Sequence, residues 1–160
     1  MSRAFTREES WEEPIVPPRA PLPDGVPNYV TPRGLSRLRE EQDSLEAERA
    51  SIHAEDDDAR KRRIILTRQL AELAGRIATA EVIDPARQPK DSVRFGARVT
   101  LRNAKGEQRV LQIVGVDESD PDLGRVAFTA PIAKAILGCA VGDTVDFRNE
   151  TLTILAIDYA

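Results

Sequence analysis

The chain has 160 residues, of which 31% are charged and 4% aromatic, and its formal net charge is −4. This length allows one or two small domains, and no segment carries the basic excess expected of a protein that binds nucleic acid mainly through phosphate contacts. A single cysteine, Cys139, excludes an internal disulfide, no apolar run approaches a membrane span, and the first residues lack a signal-peptide core, so we expect a cytoplasmic protein.

Residues 1–28 are predicted to form a disordered tail. The segment is acidic and rich in proline, which removes backbone hydrogen-bond donors. Trp11 is interpreted as a lone aromatic side chain in this tail, and the alternative is a partner-binding anchor.

Residues 29–84 are predicted to form an antiparallel coiled-coil hairpin. Thr31 followed by Pro32 is a helix-start signal, because threonine caps free amide groups and proline at the first helical position loses no hydrogen bond. Heptad positions, most of them apolar, then recur three and four apart over residues 35–52 and again over residues 59–80. This spacing predicts two helical arms of similar length, joined by a short turn.

Residues 85–92 are interpreted as a linker, and residues 93–160 as a small α+β domain. Pro85 disfavours helical geometry in the residue before it, so the second arm should end near Asp84. Beyond the linker the hydrophobic period changes from helical to alternating. The predicted elements are strands over 98–102, 110–116, 126–129, 144–147 and 152–157, a turn over 103–106, a second turn over 148–151, and a helix over 132–137 that Pro131 opens.

An acidic cluster, Glu55, Asp56, Asp57 and Asp58, lies at the turn between the predicted arms. Mg²⁺ prefers oxygen ligands, so a metal site at this tip is one interpretation. The second is structural: Asp57 or Asp58 would cap the second arm, and acidic residues there complement the helix dipole. The third is electrostatic binding of a basic surface without chemistry.

A basic run, Arg60, Lys61, Arg62 and Arg63, follows the acidic cluster. Four consecutive residues of a helix point in different directions. A solvated or intrahelical role is therefore favoured over a contact with RNA or with an acidic surface of a partner protein.

Four passages of the chain, taken in order, resemble those of the Gre family of bacterial transcript-cleavage factors. The first, Tyr-Val-Thr-Pro-Arg-Gly-Leu, opens the first arm, and the second, Glu-Val-Ile-Asp, ends the second arm. The other two enter the C-terminal domain and form its helical segment. The passages are residues 29–35, 81–84, 93–99 with 113–118, and 130–138 with 141–143.

The resemblance implies a coiled-coil hairpin and an FKBP-like domain that docks on bacterial RNA polymerase, while the hairpin enters the secondary channel. Thr129, Ala130, Pro131 and Ile132 would lie in the docking surface, although the family usually has serine in place of Ala130. The factor would not itself be an enzyme and would bind no cofactor alone. Its tip carboxylates would share a Mg²⁺ with the polymerase active site, contact the nascent RNA indirectly, and stimulate cleavage of backtracked RNA.

Two departures from the family keep the role of the tip open. The family's cleavage factors carry Asp, two further residues and then Glu-Asn at the tip, and this chain lacks that pattern. Its hairpin is also shorter by about two turns per arm, or roughly 10 Å. The alternative is a non-catalytic or inhibitory regulator that occupies the channel without cleavage. A prolyl isomerase activity is disfavoured, because it needs an aromatic-lined pocket and aromatic residues are few.

Overall fold

Two long helices, α1 (Pro32–Ala50) and α2 (Asp57–Ala78), dominate the first half of the structure, a computed structural model that describes residues 12–159. Helix α1 begins where the sequence predicts, because the Thr31 hydroxyl oxygen accepts a hydrogen bond from the Gly34 amide at 3.0 Å. Both helices end earlier than their apolar patterns, and α2 ends at Ala78 rather than near Asp84, because residues 81–82 form a strand instead. After α1 the chain leaves the helix at Ser51, whose hydroxyl donates to the Glu48 carbonyl at 2.7 Å.

The two helices pack against each other in opposite directions, and we call them, with the connecting residues 51–56, the hairpin. Close to the connection, Arg62 of α2 donates from Nε to Glu48 of α1 at 2.8 Å. At the other end, Leu38 of α1 and Leu73 of α2 share a buried apolar cluster with Val30. Contacts at both ends establish an antiparallel pair, in which the 22 residues of α2 span about 33 Å.

Two very short strands form the base of the hairpin, and the sequence analysis did not predict them. Strand β1 (Tyr29–Val30) precedes α1, strand β2 (Glu81–Val82) follows α2, and the two strands pair in parallel. The Ile83 amide donates to the Val30 carbonyl at 2.9 Å. This pairing holds the start of α1 next to the end of α2, so the two helices are joined at the base of the hairpin as well as at the tip.

The second half of the chain contains β3 (Arg98–Arg102), β4 (Gln108–Val114), β5 (Arg125–Ala127), α3 (Pro131–Ile136), β6 (Thr144–Phe147) and β7 (Glu150–Asp158). The five strands form one sheet with the order β5-β4-β3-β7-β6. All neighbouring strands are antiparallel except β4 and β5, which are parallel. A short helix, α3, connects β5 to β6, and the α+β class expected from the sequence is confirmed.

The core of this sheet domain, residues 93–159, lies on one face of the sheet. Along β3, Val99 and Leu101 are fully buried while the residues between and beside them are not, as expected for a strand with one buried face. Ala133 and Ile136 of α3 cover the same face and are also fully buried. Helix α3 therefore closes the core.

The turn between β6 and β7 is tighter than predicted. Arg148 and Asn149 alone form it, with φ angles of 47° and 63°, and Phe147 pairs directly with Glu150. Two central residues with positive φ match the twist of the flanking strands, and asparagine tolerates that conformation. Strand β7 consequently begins at Glu150, two residues earlier than the alternating pattern indicated.

The N-terminal segment from residue 12 to residue 28 has neither helix nor strand, but it lies along the hairpin. The structure describes no residue before residue 12. The interpretation of Trp11 and the predicted disorder of residues 1–11 therefore lie outside the described residues. Within the described part, Arg68 of α2 donates to the Pro14 carbonyl at 3.2 Å. Across residues 12–159, no helix combines the length and apolar character needed to cross a membrane.

Candidate functional site

The acidic cluster lies where the sequence predicts, at the free end of the hairpin, but Asp56 provides the helix cap. Its Oδ1 accepts a hydrogen bond from the Ala59 amide at 2.8 Å, and its backbone is extended. Asp57 and Asp58 occupy the first turn of α2 and are exposed. The assignment of the cap to Asp57 or Asp58 is therefore wrong, because the helix starts one residue earlier than a cap at Asp57 requires and two residues earlier than a cap at Asp58 requires.

The carboxylates of the tip do not converge. Glu55 is 89% exposed and lies 3.7 Å from the Arg63 guanidinium, and Asp56 is engaged with the backbone. Within residues 12–159, no group of three or more histidine, cysteine, aspartate or glutamate side chains is placed to hold a metal ion. The tip therefore concentrates negative charge at the end of a helical rod.

Two residues of the basic run hold the connection between the helices in place. Arg62 pairs with Glu48 across the hairpin, and the Arg63 guanidinium donates to the carbonyl oxygen of Ala54 at 2.5 Å. Arg60 is exposed and Lys61 is half-buried. Both contacts stay within the hairpin but leave α2, since Glu48 belongs to α1 and Ala54 to the connection, so they are not the intrahelical contacts that the sequence favoured.

Thr129, Ala130, Pro131 and Ile132 lie together at the start of α3. Ala130 is the residue before the helix and makes no side-chain capping bond, as expected where alanine replaces serine. Pro131 is exposed, and the other three are half-buried. Three of the four border a shallow apolar hollow of about 350 Å³. Its apolar lining consists of Leu111, Pro121, Val126, Ala130, Pro131, Ile132 and Phe147.

A buried carboxylate, Glu118, joins the hairpin to the sheet domain, and the sequence analysis missed it. Glu118 is only 4% exposed and lies in a short 3-10 helix after β4. Its carboxylate accepts hydrogen bonds from the Thr31 hydroxyl at 2.7 Å and from Arg33 Nε at 3.0 Å. A signal was available, because Glu118 and Asp117 directly follow a predicted buried strand.

Cys139 and Tyr159 are structural rather than reactive. Burial, followed by the negative charge of Asp143, raises the pKa of the Cys139 thiol, which favours its unreactive neutral form. Burial also raises the pKa of Tyr159, whose hydroxyl donates to the Ser92 carbonyl at 2.7 Å and accepts from the Arg94 amide at 2.9 Å. Neither side chain is a candidate nucleophile at neutral pH.

Comparisons with known proteins identify relatives of this chain. Residues 88–159 match the family described as "Transcription elongation factor, GreA/GreB, C-term". Transcription elongation factor GreA of Acidiphilium cryptum is 44% identical over 114 residues, which cover 68% of this chain and 73% of that protein. The GreA of Rhodospirillum rubrum is 35% identical over 140 residues, covering 74% and 87%. A solved GreA/GreB structure from Nitrosomonas europaea is 20% identical, with a TM-score of 0.42 over 82% of this chain and 98% of that one.

Proposed function

We propose, from the premise that this chain belongs to the GreA/GreB family of transcription elongation factors, that it binds bacterial RNA polymerase and modulates elongation from within the secondary channel. The sheet domain, which we take to be FKBP-like, would dock at the channel rim through residues 129–132. The hairpin, which we take to be a coiled coil, would enter the channel with its acidic tip foremost. Any chemistry on RNA would belong to the polymerase, in the cytoplasm, and this chain would act as an accessory factor.

One observation carries this proposal: a helical rod with a charged free end is fixed at its other end to a domain with an exposed apolar hollow. The hollow borders Pro131 and Phe147, and apolar pockets of this kind accept anchoring side chains of a partner protein. The rod places Asp57 and Asp58 about 33 Å from the base. A domain that docks and a rod that reaches away from it are the two parts that such a factor requires.

At the tip, the geometry favours occupation of the channel without stimulated cleavage. The carboxylates that could hold Mg²⁺ do not converge, since Asp56 caps the helix and Glu55 lies beside Arg63. The cleavage mode remains the second candidate, and the exposure of Asp57 and Asp58 favours it, because both acids could be offered to a metal ion held by the polymerase.

Replacing Pro131 by lysine should weaken binding to RNA polymerase by roughly tenfold or more, because it places a charge in an apolar contact. The substitution should leave the fold intact, since Pro131 is exposed and donates no backbone hydrogen bond. The measurement is the dissociation constant for polymerase from the same organism, determined for both proteins at one salt concentration.

Val110→Lys is the matched control. Val110 is 49% exposed and, because side chains alternate along a strand, it faces away from the hollow that its neighbour Leu111 lines. The control should bind like the unsubstituted chain. Equal binding by Pro131→Lys would contradict the docking surface, and no binding by the unsubstituted chain at micromolar concentration would contradict the proposed function.

The triple substitution Asp56→Asn, Asp57→Asn and Asp58→Asn should leave the effect on elongation unchanged if the chain acts by occupying the channel. Asparagine also caps helices, so the variant removes the negative charge while it keeps the hydrogen bond to the Ala59 amide. The assay follows the length of RNA in a stalled, backtracked polymerase complex with each protein. We expect both proteins to bind and neither to shorten the RNA beyond the rate of polymerase alone. Mg²⁺-dependent shortening that is lost in the variant would instead establish the cleavage mode.

A further inference from the structure

The N-terminal segment from residue 12 to residue 28 follows the hairpin from its base to its middle. At the base, the Asn28 side-chain amide donates to the Arg76 carbonyl in the last turn of α2 at 2.8 Å. Farther along, the Arg68 guanidinium donates to the Pro14 carbonyl. Because the segment has no helix or strand of its own, such contacts with the helices hold it in place.

Arg19, in the middle of this segment, contacts three separate elements. Its backbone amide donates to the Glu72 carboxylate of α2 at 3.0 Å. Its guanidinium pairs with Glu41 of α1 and donates to Asp117 Oδ1 of the sheet domain at 3.0 Å. The Arg19 side chain is 20% exposed, so these contacts are partly shielded from solvent.

Asp117 is the point at which the segment, the hairpin and the sheet domain meet. Its side chain is only 6% exposed. Its Oδ1 forms an ion pair with Arg19, and its Oδ2 forms one with Arg76 of α2 at 3.1 Å. Arg76 also donates to the Ala20 carbonyl, one residue beyond Arg19. Buried charges are tolerated only when they are paired, so this arrangement favours one relative placement of the three elements.

The position of Glu41 gives Arg19 a mechanical role that the base contacts do not have. The pairing of β1 with β2 and the Thr31–Glu118 hydrogen bond both lie at the start of the hairpin. Glu41 lies nine residues beyond Pro32, or about 14 Å farther up α1. A contact at that height resists tilting of the rod, whereas contacts at the base alone act as a hinge.

We infer that residues 12–28 form a strap and that Arg19 is a positioning residue, which fixes the direction of the hairpin relative to the sheet domain. The burial of Arg19 lowers the pKa of its guanidinium, but the carboxylates of Glu41 and Asp117 together raise that pKa by more, so the side chain stays charged. The inferred orientation of the hairpin does not depend on polymerase. Only its consequence, that the strap directs the acidic tip into the channel, rests on the proposed function.

The test measures the distance between the tip and the sheet domain in the full chain without polymerase. Spin labels are placed at Ala54→Cys and Lys105→Cys, two exposed positions, in a Cys139→Ser background. Arg19→Ala should broaden the distribution of distances by pulsed electron paramagnetic resonance roughly twofold, because the rod loses its upper support. Arg19→Lys should give an intermediate width, since an ammonium group retains charge but lacks the guanidinium fork that reaches two carboxylates.

Arg87→Ala is the matched control, because it removes an arginine whose side chain is 88% exposed and should leave the width unchanged. Circular dichroism checks that the helix content is the same in all variants. Equal widths with arginine and alanine at position 19 would overturn the strap while leaving the proposed binding to polymerase untouched.

Discussion

Leu73→Ala should lower the free energy of unfolding by roughly 2–5 kcal/mol, the largest stability loss that we expect from a single truncation in the hairpin. Leu73 is fully buried between the two helices, where it contacts the cluster that contains Val30 and Leu38. Truncation removes apolar contacts and leaves a cavity. The two helices cannot move together to close it, because the connection at the tip and the paired strands at the base fix their separation. Urea denaturation monitored by helical circular dichroism measures the loss.

Leu123→Ala serves as the control for this substitution. The chemistry of the change is identical, but Leu123 is 61% exposed and lies in a surface 3-10 helix of the sheet domain. We expect its effect to stay within about 0.5 kcal/mol. Similar losses for the two variants would mean that Leu73 does not pack between the helices as described.

Gly115→Ala should destabilise the junction between the hairpin and the sheet domain by roughly 1–3 kcal/mol, because it overpacks a tight backbone contact. A Cβ atom at this position would lie 2.5 Å from the carbonyl oxygen of Tyr29, which belongs to β1 at the base of the hairpin. That obstacle is backbone rather than a flexible side chain, so relief requires the base to move. The free energy of unfolding from urea denaturation reports the effect.

Gly75→Ala makes the same chemical change with the opposite expected sign. Gly75 lies inside α2, and a Cβ atom there would meet no atom within 4 Å. Alanine is favoured over glycine in a helix by about 1 kcal/mol, so this variant should be more stable than the parent chain. If Gly115→Ala were also stabilising, the close approach of Tyr29 to Gly115 would be wrong.

Local patterns in the chain predicted most of the secondary structure correctly. Thr31 with Pro32 marks the start of α1, and alternation over residues 98–102 reproduces β3, because both signals depend only on neighbouring residues. The predicted bounds of elements were wrong where several neighbouring residues carried the same local signal and only the three-dimensional path of the chain selects one of them. Asp56, Asp57 and Asp58 are all capable caps, and the choice among them depends on where the chain leaves α1 and how far the connection must reach.

The candidate site divides in the same way. The negative charge of the tip and its position are evident from the acidic cluster between two apolar repeats. Residues 129–132 were proposed as a docking surface through a resemblance rather than through their chemistry. The buried pairing of Glu118 with Thr31 joins residues that are 87 positions apart in the chain. The local signals at Thr31 and Glu118 each concern only the neighbouring residues, so no pattern of spacing could have paired the two.

The number of helices, the α+β class and the negative charge at the end of the rod follow from the order of residues, because they arise from periodicity, capping and charge. The direction of the rod does not. It depends on β1 with β2, on Glu118 and Asp117, and on Arg19, which come together from distant parts of the chain. Contacts of this kind form only when separate elements have packed, because each ion pair or short ladder is too weak to specify its partner before folding brings the two together.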